Sequence, residues 1–139
     1  MSTTHNALEQ FFNDYATRFT KAIGENPEVD VETFAGAFAD WFIDVGPAGI
    51  VAQKNDEQFR AALPQWFESY RTSGARSIEV GLLTTMPLNK EHSIARVHWE
   101  TRYLKAEGKE ETITSEIIYF VKTVGENLKI FGLVTVGEE

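Results

Sequence analysis

The stretch Ser93-Ile94-Ala95-Arg96-Val97-His98-Trp99-Glu100-Thr101-Arg102-Tyr103-Leu104 alternates from end to end. Ala95, Val97, Trp99 and Tyr103 fall on one side, while Arg96, His98, Glu100 and Arg102 fall on the other. A two-residue period of this kind is that of a strand with one buried face. Downstream, Glu107-Gly108-Lys109 turns the chain into a strand from about Glu111 to Thr123. Gly125-Glu126-Asn127 turns it again into a last strand, Leu128 to Val136. Upstream, Pro87-Leu88-Asn89-Lys90 connects back to a strand over Ser77 to Met86, with Ile78, Val80 and Leu82 on one face. Hairpin-length links predict an antiparallel sheet. The last two strands carry apolar residues on both faces: Ile117, Tyr119 and Val121 against Ile118 and Phe120, then Phe131 and Leu133 against Ile130 and Val134. One face covers helices. The other is too apolar for open water and calls for a partner.

Before Gly74 the period changes. Leu8, Phe11, Phe12, Tyr15, Phe19, Ala22 and Ile23 recur at three- and four-residue spacing, which predicts a helix from about Ala7 to Ile23, with Asn6 and Glu9 as a capping box. A short helix follows with Asp30 as N-cap and Val31, Phe34, Ala35 and Phe38 as its stripe. Gly46-Pro47-Ala48-Gly49 joins two short apolar runs, Trp41 to Val45 and Ile50 to Gln53, as a small hairpin. A third helix opens at Asn55 or Asp56, with Phe59, Leu63, Trp66, Phe67 and Tyr70 on its apolar face. Pro64 inside it predicts a kink or break near Arg60 to Leu63. The expectation is an α+β protein of one domain, 1–139, with three helices packed on a curved antiparallel sheet.

Charge and composition narrow the function classes. The net charge is −8, from 13 basic and 21 acidic residues, which disfavours nucleic acid as a partner. There is no cysteine, so thiolate chemistry and cysteine metal sites are excluded. No apolar run approaches the roughly 20 residues that span a bilayer. Met1 to Gln10 lack the order of a secretion signal, and a cytoplasmic location is expected. His98 and Glu100 share a strand face, but no third ligand stands at a legible spacing, and a cross-strand salt network, or the polar part of a dimer contact, is the reading for that face. No metal and no cofactor is expected.

The segment Phe34-Ala35-Gly36-Ala37-Phe38-Ala39-Asp40, the aromatic strand ending near Pro47, the capped helix Asn55 to Arg71 and the long strands around Trp99 and Tyr119 together resemble the nuclear transport factor 2-like superfamily. Within it the chain most resembles uncharacterised bacterial SnoaL-like proteins. The resemblance is one of pattern over nearly the whole chain. It implies a cone-shaped fold with an apolar cavity. Relatives include ketosteroid isomerases, polyketide cyclases, dehydratases, ligand carriers and interaction modules, so the fold leaves function open. The isomerase pattern of a helix tyrosine, an Asp before a proline and an acid in the penultimate strand falls near Phe19, Gly46 and Tyr119, and is not met.

Asp44 stands in phase with Phe42. If it faces the cavity, desolvation makes it a base for a carbon-bound proton, with Tyr119 as donor to a carbonyl. If the hairpin turns it outward, it is a surface acid. Tyr15, Phe19, Phe42, Trp66, Trp99, Tyr103 and Phe131 are the expected lining of a site for a small, mostly apolar ligand. With three tryptophans and ten phenylalanines, the same residues also suit plain core packing. Two readings result. One is a ligand-binding protein, with cofactor-free isomerase, cyclase or dehydratase chemistry as the resemblance implies. The other is a non-catalytic dimeric interaction module with a filled cavity. A homodimer through the outer sheet face is expected in either.

Overall fold

The computed structural model describes residues 3–138. The order is α1 (Thr3–Ile23), α2 (Val31–Ala35), β1 (Phe38–Gly46), β2 (Gly49–Lys54), α3 (Glu57–Thr72), β3 (Ala75–Pro87), β4 (His92–Leu104), β5 (Glu110–Val124) and β6 (Asn127–Glu138). Residues 1, 2 and 139 of the expected 1–139 domain lie outside this range. The helical first half and the strand-rich second half are as the periodicity predicts.

Capping decides where the short helices begin. The Asp30 carboxylate accepts from the Thr33 amide at 3.2 Å and the Thr33 hydroxyl at 2.7 Å, opening α2. Asp56, the second of the two expected caps, accepts from the Phe59 amide at 3.0 Å and opens α3. Asn55 instead donates to the carbonyls of Ala35 and Phe38, tying the hairpin to α2. Two expectations are corrected. Asn6 does not cap α1, because the helix already runs from Thr3. Pro64 does not break α3, which is continuous over Glu57–Thr72. Pro64 is exposed, and water can satisfy the carbonyl its ring leaves unbonded. Gly74 then reverses the chain at φ +101°, where no side chain fits: a Cβ would lie 2.6 Å from the Leu104 carbonyl oxygen.

The six strands form one curved, unclosed sheet in the order β2-β1-β6-β5-β4-β3. Four pairings are antiparallel: β1–β2, β3–β4, β4–β5 and β5–β6. The sheet is not wholly antiparallel as expected, because the hairpin joins it through a parallel pairing of β1 with β6. Local links cannot reveal a contact between Asp44 and Leu133, which are far apart in sequence but face each other in that register.

Two of the register shifts decide which way expected core residues point. Between Val80 and Leu82 the β3–β4 register shifts, so Leu82 sits opposite His98 on the outer face and Leu83 turns inward against Val97. In β6, Ile130 pairs with Val121 and Gly132 with Phe120, leaving Phe131 as the extra residue of a bulge. The core lies on the inner face under α1, α2 and α3, built from Leu8, Phe12, Tyr15, Phe19, Ile23, Phe34, Phe67, Val97, Trp99, Tyr119 and Ile130.

Candidate functional site

The alternation of β4 and β5 turns Trp99 and Tyr119 toward α1, and the helical period brings Phe12 and Tyr15 down onto them. Phe12 stands 4.7 Å from the Tyr119 ring, and Tyr15 lies 5.8 Å from Trp99 and 4.9 Å from Phe34, centroid to centroid. The Trp99 indole N–H donates to the Tyr119 hydroxyl at 2.9 Å. Trp99 is 1%, Tyr119 2% and Tyr15 5% exposed. Burial pushes the Tyr119 phenol well up, against the opposing effect of the Trp99 hydrogen bond, with smaller upward contributions from Tyr70 and Asp44. Burial likewise raises Tyr15, assisted by Tyr119, Tyr70 and Asp44. Both phenols are neutral donors over the physiological range.

The expected site residues divide into groups. Tyr15, Trp99 and Tyr119 are together at the centre. Phe19 and Trp66 are in contact at 5.4 Å, over Phe67 and Tyr70. Phe42 is buried between Phe38 at 4.8 Å and Phe59 at 5.2 Å. Tyr103 stands apart, opposite Ala75 near the far end of β4, with the Lys105 ammonium 5.1 Å over its ring. Phe131 is corrected: the bulge places it on the outer face, 5.9 Å from Phe120 and 5.6 Å from His92.

Asp44 is also corrected. It keeps the phase of Phe42, yet its side chain is exposed and does not sit in a dry cavity. It lies two residues beyond the point where Phe59 of α3 closes over β1, near the turn into edge strand β2. Tyr15, Phe19, Phe42, Trp99 and Tyr119 therefore pack as part of the buried core. The sequence reading missed Phe12, Phe34 and Phe38 as fillers. Phe12 and Phe34 stand in the apolar helical stripes, whereas Phe38, expected on the stripe of the second helix, opens β1 because that helix ends at Ala35; which of these residues meet is a tertiary matter.

On the outer face, Arg96 reaches Glu116 at 2.6 Å and Arg102 reaches Glu110 at 3.0 Å. These are cross-strand ion pairs of the kind the alternation of β4 suggests. Beside them a shallow apolar groove of about 230 Å³ is lined by Ile43, Val45, Phe120, Phe131 and Val134. Among the described residues no group of three His, Asp or Glu gathers at metal-binding distance, and no helix is long and apolar enough to cross a membrane.

Two helices, a hairpin, a third helix and four long strands on one curved, unclosed sheet define the NTF2-like, cystatin-like class. Within it, the chain belongs to the family described as NTF2-like protein (DUF6841), which matches residues 6–138. Solved structures agree in fold. Aln2 from a Streptomyces species superposes with a TM-score of 0.71 at 14% identity, covering 97% of this chain and 91% of that one. An NTF2-like protein with a cystatin-like fold from Novosphingobium aromaticivorans gives 0.70 at 12% identity, covering 94% and 79%. A scytalone dehydratase-like protein from the same organism gives 0.65 at 15% identity, covering 95% and 82%. No curated protein matches the chain in sequence.

Proposed function

We propose that the chain is a non-catalytic NTF2-like module that pairs with a second copy through the outer face of its sheet. The observation that carries this reading is the ring cluster of Phe12, Tyr15, Phe34, Trp99 and Tyr119, whose members pack on one another where a ligand would lie. A bound organic molecule needs a few hundred Å³ of space, and here side chains hold that ground. The outer face supports the pairing. Ile43 is 48% exposed beside Val45, Phe120, Phe131 and Val134, and burying such surface is worth roughly 25 cal/mol per Å². Six strands at about 4.8 Å spacing make a face roughly 24 Å wide, of the order that a stable interface of about 800 Å² per partner requires. The net charge of −8 opposes self-association at long range, but Glu116 and Glu110 on this face are paired with Arg96 and Arg102.

Sedimentation velocity tests the reading. The wild type should run as a dimer at micromolar concentration and Phe120→Glu as a folded monomer. A wild-type monomer at high micromolar concentration overturns it.

A second reading has one observation in its favour. Tyr15 and Tyr119 are two buried, neutral phenols within one aromatic cluster. Buried hydroxyl donors suit isomerase, cyclase or dehydratase chemistry at the carbonyl of a small apolar ligand. This reading requires the rings to part, and a compound retained in the cone in native mass spectrometry would place it first.

A further inference from the structure

A groove of about 620 Å³ lies between α1, the end of α2, the β3–β4 connection and the β5–β6 turn, away from the outer face. Its apolar floor is Phe11, Val121 and Leu128. Its charged wall is Arg18, Lys90 and Lys129 against Asp14 and Glu126. The lining thus carries three cations and two anions in a chain whose net charge is −8.

Arg18 is the unusual member. Its Nε is shielded from solvent and has no hydrogen-bond partner among the described residues. A guanidinium offers five N–H donors in a planar fork, and a shielded donor left unpaired costs free energy. The two neighbouring acids each accept hydrogen bonds within their own helix. Asp14, one helical turn before it, accepts from the Gln10 amide at 2.8 Å. Asp30 accepts from the amide and hydroxyl of Thr33. Lys129 donates one bond to the Gly36 carbonyl, which leaves its ammonium further donors.

We propose that this groove binds a small organic monocarboxylate, with its carboxylate on the terminal N–H groups of the Arg18 fork beside Lys129 and its apolar body on Phe11, Val121 and Leu128. A carboxylate is the partner whose geometry matches the fork. Asp14 and Glu126 on the same wall repel a second negative charge, which selects a monoanion over a phosphate dianion. The floor selects an aromatic or short aliphatic body over a sugar. The proposal is independent of the pairing reading.

Benzoate, its neutral isostere benzamide and phenyl phosphate are suitable probes in amide-resolved NMR titrations of the full chain. Benzoate should give saturable shifts at Thr33, Gly36, Ala37 and Lys129, and benzamide none. Arg18→Gln should weaken benzoate binding about tenfold or more, as expected for a lost charge-assisted bond, with the melting temperature unchanged. Lys129→Gln should weaken it to a smaller degree and serves if Arg18→Gln does not fold. Absence of saturable shifts at tens of millimolar benzoate, equal response to benzamide, or full affinity in both variants overturns the proposal. Tighter binding of phenyl phosphate overturns its monoanion selectivity.

Discussion

Tyr119 shows how one side chain couples packing to polarity. Its hydroxyl is the acceptor for a fully buried indole N–H. Tyr119→Phe keeps the ring and orphans the Trp99 donor, so it should cost about 1–3 kcal/mol in urea unfolding. The Trp99→Phe, Tyr119→Phe double variant should cost less than the sum of the singles, because the second change removes the orphan. Asp44 makes the contrast. Its carboxylate is exposed, so Asp44→Asn should change stability by no more than about 0.5 kcal/mol. A loss of several kcal/mol in the same unfolding assay would mean that it carries a buried contact. Asp44 was legible in sequence as an acid in phase with Phe42. Its exposure was not, because that depends on how far α3 reaches along β1.

Among the elements, the turns and caps constrain more than the strands do. Gly74 combines a positive φ with the Leu104 carbonyl at its back. Gly74→Ala should therefore cost more than about 1 kcal/mol, seen as a lowered melting temperature. Asp56→Ala should remove the cap of α3 and cost about 1 kcal/mol. The capped starts of α2 and α3 and the alternation of β4 were readable from local sequence. The bulges at Phe131 and between Val80 and Leu82 were not, because nothing in either strand alone shows that its partner skips a residue.

Across the molecule, the buried phenols set the alkaline limit. Tyr15 and Tyr119 have raised folded values, while an unfolded tyrosine titrates near about 10. Above that pH the unfolded chain loses protons that the folded chain retains, so stability falls as pH rises. The slope should approach about 1.4 kcal/mol per pH unit for each phenol. Below about pH 10 these two groups contribute no slope. Denaturant midpoints measured from neutral to strongly alkaline pH check this. A flat midpoint through the alkaline range would mean that both phenols are open to water in solution.

The α+β class, the three helices, the six strands and the apolar outer face are all readable along the chain, because hydrophobic period and capping are local properties. The parallel seam between β1 and β6, the side to which Phe131 points, the exposure of Asp44 and the unpaired Nε of Arg18 emerge once the chain is folded. Each of these depends on which distant residues share a space. The ten phenylalanines read equally well as the wall of a cavity or as its contents, since burial looks the same in sequence for both. The centroid distances among Phe12, Tyr15, Phe34, Trp99 and Tyr119 put these rings within contact of one another, and that follows from how α1, α2, β4 and β5 come together rather than from any one of them.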